Sequence, residues 1–206
     1  MFASARRAAI AVTVAFAIGG APAVAAAAQP TAPVLAEYSI GSHDRAPQAI
    51  AAGADGALWF TESASKIGRV TTDGMLEEFT VRTETGPGDP QEITAGPDGA
   101  LWFTESAADR IGLISIGGGV VQFVLPTGGA QPRGIAAGPD GALWFTESAG
   151  DKIGRITTGG RITEYPLPKR ESGPHGITTG PDGAVWFTER GVSSHGGSKI
   201  GRLGPR

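Results

Sequence analysis

The strongest chemical signal in this sequence is one pair of side chains, His175 and Glu189, placed symmetrically about the turn Pro181-Asp182-Gly183. A three-residue loop centred on Asp182 folds its flanks into an antiparallel hairpin and sets His175 opposite Glu189. Directly opposed residues have Cβ atoms about 4.5 to 5.5 Å apart. A bulge at Gly183 shifts the pairing by one residue. Imidazole exchanges a proton near neutral pH, and a carboxylate is a hard oxygen ligand for a cation, so the pair suits base catalysis beside a bound ion.

The same spacing pairs Gln48 with Glu62, Gln91 with Glu105 and Arg133 with Glu147. A glutamate therefore recurs beside a partner that varies, and only the last partner is a base. Repetition favours a structural role for Glu62, Glu105 and Glu147, accepting hydrogen bonds from loop backbone. For Glu189 a structural role and metal binding both stay open. Gln48, Gln91 and Arg133 are candidate substrate-binding residues at the positions equivalent to His175. His43 lies in the loop before the first inner strand. His195 lies in a loop, Gly191 to Gly197, that is lengthened relative to the other copies; surface loops tolerate such insertions.

These positions belong to an internal repeat. Trp59, Trp102, Trp144 and Trp186 are spaced 43, 42 and 42 residues apart, each within Gly-x-Asp-Gly-Ala-(Leu/Val)-Trp-Phe-Thr-Glu. A period this long with dense glycine marks stacked supersecondary units. In the third copy the expected strands are 134–138, 142–147, 152–157 and 161–167, with turn residues between them. Adjacent Trp144 and Phe145 point to opposite faces of a strand, so both faces of each sheet must be covered. Sheets covered on both sides by copies of themselves are propeller blades. The expected fold is all-β: four blades of about 42 residues, as a closed small ring or a partial propeller.

Val34 to Ile40 matches Arg161 to Leu167, the fourth strand of a unit, and Lys199 to Leu203 matches a third strand. Pairing the first segment with the last would hide both edges. A closed four-bladed ring, an open arc, and a homodimer completing an eight-bladed ring all remain open.

Residues 1–28 have the three parts of a secretory signal: Arg6 and Arg7, an uncharged run from Ala8 to Gly19, and small residues from Ala23 to Ala28. The run is too short for the roughly 20 apolar residues that span a bilayer. The expected organisation is a signal peptide at 1–28 and a repeat domain at 29–206, secreted or periplasmic, with no membrane span after cleavage. The formal charge is −3, and no basic run occurs, which argues against a nucleic-acid partner. No cysteine is present, so thiolate chemistry is excluded and a metal would need oxygen or imidazole ligands.

In the stretch Pro174-His175-Gly176-Ile177-Thr178-Thr179-Gly180-Pro181-Asp182-Gly183-Ala184-Val185-Trp186-Phe187-Thr188-Glu189, in Lys199-Ile200-Gly201-Arg202 and in the Glu-Tyr-Pro-Leu strand ending at Leu167, the chain resembles the streptogramin B lyase family, also called virginiamycin B lyases. The resemblance covers essentially all of residues 29–206, although family members have seven blades where four are counted here. It implies a carbon–oxygen lyase that linearises a cyclic depsipeptide or lactone at an ester bond by β-elimination. Magnesium would polarise the carbonyl while a histidine takes the proton. Matched residue by residue, His175 is the catalytic histidine and Glu189 a metal-binding glutamate. Gly173 stands where an acid is expected, and Arg133 where a second histidine is expected. The competing class is a non-catalytic exported propeller that binds a glycan, peptide or protein through its ring face.

Overall fold

The structure is a computed structural model that describes residues 36–40, 46–63, 65–83, 86–191 and 198–204. The signal segment, His43 and His195 lie outside the described residues. The chain forms two compact units, Met1–Glu37 and Tyr38–Arg206. Of the first, only Ala36 and Glu37 are described, without regular structure.

The second unit is all-β. Strands β1 (Pro47–Ala52), β2 (Leu58–Glu62), β3 (Lys66–Val70) and β4 (Leu76–Thr80) form one antiparallel meander. A two-residue hairpin, β5 (Arg82–Thr83) with β6 (Gly86–Pro87), leads to the second. That sheet is β7 (Pro90–Ala95), β8 (Leu101–Glu105), β9 (Arg110–Ile114) and β10 (Val120–Val124). The third is β11 (Pro132–Ala137), β12 (Ala142–Glu147), β13 (Lys152–Thr157) and β14 (Ile162–Pro166). The last, β15 (Pro174–Thr179), β16 (Val185–Glu189) and β17 (Lys199–Leu203), has three strands among the described residues. Among the described residues no helix is long and apolar enough to cross a membrane.

First strands pack in series, β1 on β7, β7 on β11 and β11 on β15, and no comparable packing joins β15 back to β1. The described blades thus form an open arc, and closure by the segment before β1 is not seen. Residues 38–40 form no strand. The Tyr38 ring instead packs against Gly74, as Phe79 packs against Gly118 and Phe123 against Gly160.

The tryptophan–phenylalanine alternation works as expected. Trp59 shares a core cluster with Phe103 of the second blade, and Trp102 shares one with Phe145 of the third, so one face of each blade covers the opposite face of the next. Each of these tryptophans stacks on the aromatic of its own fourth strand: Trp59 on Phe79 at 5.4 Å, Trp102 on Phe123 at 5.6 Å. On the other side, the Phe145 ring lies flat over Gly154, its partner on β13. A Cβ there would fall inside the ring's contact surface. This explains the glycine of every Lys-Ile-Gly-Arg strand.

Gly154→Ala must displace Phe145 or part the strands. The expected loss is about 1 to 3 kcal/mol, the usual range for overpacking. Urea unfolding measures it, and adding Phe145→Leu should recover part of the loss.

Candidate active site

Each first strand carries a bulge at the same place. In the last blade Thr178 pairs with Trp186 and Ile177 with Phe187, as the turn dictates, but Glu189 then pairs with Pro174. The register slips at His175-Gly176, and equally at Gln48-Ala49, Gln91-Glu92 and Arg133-Gly134. The expected pairing of His175 with Glu189 is therefore corrected. The turn at Gly183 keeps its register; the extra residue enters seven positions upstream.

A threonine on the second strand holds the bulge. The Thr146 hydroxyl accepts from the Gly134 N–H at 2.9 Å and donates to the His175 carbonyl of the next blade at 2.8 Å. Thr104 likewise takes the Glu92 N–H and gives to the Arg133 carbonyl, and Thr61 takes the Ala49 N–H and gives to the Gln91 carbonyl. All three threonines are fully buried. Gln91, Arg133 and His175 are thus anchored through their carbonyls by the preceding blade, which leaves their side chains to line the centre.

Gln48, Gln91, Arg133 and His175 do converge, lining a cavity of about 160 Å³ where the four first strands meet. The Arg133 guanidinium donates to the Gln91 side-chain oxygen at 2.7 Å. His175 is half-buried, and desolvation, then the charges of Arg190 and Arg133, lower its pKa below the ordinary 6.5. The imidazole is therefore neutral at pH 7 without help from a metal. Glu92 joins the cavity wall, its carboxyl pushed up by desolvation although it opens to solvent. It is not among the candidates that the pairing about the turn singles out. Its signal was present: Ala49, Gly134 and Gly176 hold the equivalent position, so Glu92 departs from the repeat as His175 does.

Glu189 is not among the residues that line this cavity. It lines a separate cleft with Arg190, Ser198 and Lys199, and its carboxylate is 3.8 Å from the Lys199 ammonium. Among the described residues no group of three or more acidic or imidazole side chains is gathered as a metal site.

Glu62, Glu105 and Glu147 are fully buried, in keeping with a structural role. Glu105 accepts from the Gln122 amide of its own sheet at 2.9 Å, where a loop partner was expected. Burial pushes its carboxyl up to about 7, and burial with the adjacent Glu164 carboxylate does the same for Glu147.

The whole of residues 27–206 matches the model of the Virginiamycin B lyase family. The chain belongs to that family. Virginiamycin B lyase from Staphylococcus aureus is 39% identical to it over 84% of this chain and 61% of that one, with a TM-score of 0.74. A catalytically inactive histidine-to-alanine variant of the same lyase, solved with quinupristin, is 41% identical over 82% of this chain and 59% of that one, also at 0.74. A streptogramin B lyase structure is 39% identical over 83% and 59%, at 0.73. The chain thus spans about 60% of the length of these lyases. No curated protein matches.

The buried carboxyls give this family member a pH signature. Glu105 holds its proton more tightly folded than unfolded, so its contribution to stability is complete below about 4.5 and is lost as pH rises through about 7. Glu105→Gln should therefore raise the thermal midpoint above pH 7 and not below 4.5, measured by calorimetry across that range.

Proposed function

We propose that this protein is an exported carbon–oxygen lyase that opens a cyclic depsipeptide or lactone by elimination, with His175 as the base. The observation that carries this reading is His175 on its bulge, favoured in its neutral form by burial and by the charges of Arg190 and Arg133, in a cavity it shares with Arg133 and Gln91. The loss of activity in a histidine-to-alanine variant of the staphylococcal lyase supports it.

In the step proposed, His175 takes a proton from the carbon next to a carbonyl. The electron pair of that C–H bond becomes the new C=C bond, and the ester C–O bond at the next carbon breaks, releasing a carboxylate. No water is consumed. Arg133, steadied by Gln91, stands where a guanidinium would stabilise the negative charge that develops. The cavity admits the scissile ester and its immediate neighbours, so the rest of a macrocycle would lie over the mouth formed by Gln48 and Glu92.

Magnesium comes with the family expectation, and Glu189 is the carboxylate that would hold it, with the Lys199 ammonium at 3.8 Å as a competing cation. Among the described residues no second acid or imidazole lines that cleft, so a bound Mg2+ would take its other oxygens from water or substrate and would polarise the carbonyl. The acid–base step is assigned to this chain's own residues.

Chromatography with mass detection tests the reading on a streptogramin B-type depsipeptide. The expected product is linear and has the mass of the substrate; a product heavier by one water would mean hydrolysis instead. His175→Ala should lower turnover by about 10² to 10⁴, the usual range for a general base. The acidic limb of kcat/KM should fall below pH 6.5 in the parent and move upward in Arg133→Gln, which removes a positive charge beside the imidazole. A chelator arm measures metal dependence. Equal turnover by parent and His175→Ala would leave the binding propeller as the function.

A further inference from the structure

Both residues of every bulge line the central cavity: Gln48-Ala49, Gln91-Glu92, Arg133-Gly134 and His175-Gly176. At the second position Ala49 brings a methyl group and Gly134 and Gly176 bring no side chain, so only Glu92 has one long enough to reach a ligand. At Gly134 a Cβ would collide with the His175 carbonyl oxygen, which closes that slot to side chains altogether.

The frame asks nothing of the Glu92 carboxylate. Strand β7 is held through the backbone, by the Glu92 N–H donated to Thr104, just as Ala49, Gly134 and Gly176 are held by Thr61, Thr146 and Thr188. Arg133, on the adjoining first strand, is turned to the Gln91 oxygen. Among the described residues no ion pair or side-chain hydrogen bond engages the Glu92 carboxylate, and desolvation raises its pKa. Strand β7 packs between β1 and β11, so these surroundings come from blades on both sides of it. A carboxylate partly withdrawn from water and left without a partner costs stability, and such groups in clefts mark functional sites.

We propose that Glu92 selects the ligand by pairing with a positively charged group, an alkylammonium, carried on the macrocycle beside the ester that His175 and Arg133 address. The placement beside the ester rests on the lyase reading; the preference for a cation rests on the cavity alone. The lining carries opposite charges on neighbouring strands, Glu92 on β7 and Arg133 on β11, so it orients as well as selects. An ammonium drawn to Glu92 leaves the carbonyl side of the ring to Arg133. A neutral or anionic ring leaves the carboxylate unpaired under its own bulk, which discriminates against it.

Two cyclic depsipeptides of the streptogramin B type serve as probes, one with an alkylamine on a ring side chain and one with that amine acetylated. In the parent kcat/KM for the amine should exceed that for the acetylated probe by about three- to tenfold, the range of a charged contact at a partly open site. Glu92→Gln should bring the two together, and Glu92→Lys should favour a succinylated probe over the amine. A variant that folds poorly lowers both rates and leaves their ratio unchanged, so the ratio reports selection alone. Calorimetric binding of the same probes to His175→Ala, with and without Glu92→Gln, separates selection from the reaction. An amine preference in binding that Glu92→Gln abolishes, with no turnover in the parent, would uphold Glu92 as the selecting residue and remove the lyase. An amine-to-acetyl ratio that Glu92→Gln leaves where it was would overturn the proposal, as would binding of neither probe.

Discussion

One hydroxyl per blade organises the centre of this molecule. The threonine of each Trp-Phe-Thr-Glu strand takes the N–H that the bulge in its own first strand leaves without a ladder partner, and in the first three blades it passes its own hydrogen to the first strand of the next blade. A buried hydroxyl satisfied in both directions is worth far more than one left half-used, because the alternative is an unpaired polar group away from water. Bulge, blade angle and inward projection of the variable side chain all follow from that bridge. The cavity is therefore a consequence of how blades are joined, and its chemistry depends on which side chains stand at the joints.

Much of this was legible in the sequence. The spacing of the tryptophans gave the unit, the adjacency of Trp and Phe gave a sheet covered on both faces, and in the third copy the second and third strands fall at 142–147 and 152–157 as expected. Convergence of Gln48, Gln91, Arg133 and His175 was legible too, since equivalent positions in a ring of repeats must share an axis. The bulge was not. Gln-Ala, Gln-Glu, Arg-Gly and His-Gly share only the proline before them, and the slip is held by a threonine on the neighbouring strand. A single slip was enough to take His175 out of register with Glu189. It placed the histidine with arginines, whose charge keeps it neutral, in place of a carboxylate that would have favoured its charged form.

The recurring glutamates are buried in all of the first three blades, and the partner expected for them, loop backbone, is not the one found for Glu105. Glu105 is held by Gln122 from its own fourth strand, and Glu147 lies beside Glu164 at the corresponding position. In the second and third sheets a buried carboxyl thus lies against a side chain of the fourth strand. In the last blade no fourth strand is described, and Glu189 faces Lys199.

Since the carbonyl of the bulge residue carries the structural duty at Gln91, Arg133 and His175, the side chain at that position is exempt from it. Glutamine, arginine and histidine occupy the slot in blades of one backbone geometry, and the frame is indifferent to the exchange. Such a design separates the part of the sequence that natural selection must preserve for folding from the part it can edit for chemistry. A duplicated blade enters the assembly with its slot already aimed at the axis, so new ligand preferences can arise by one codon change at a time without renegotiating the fold.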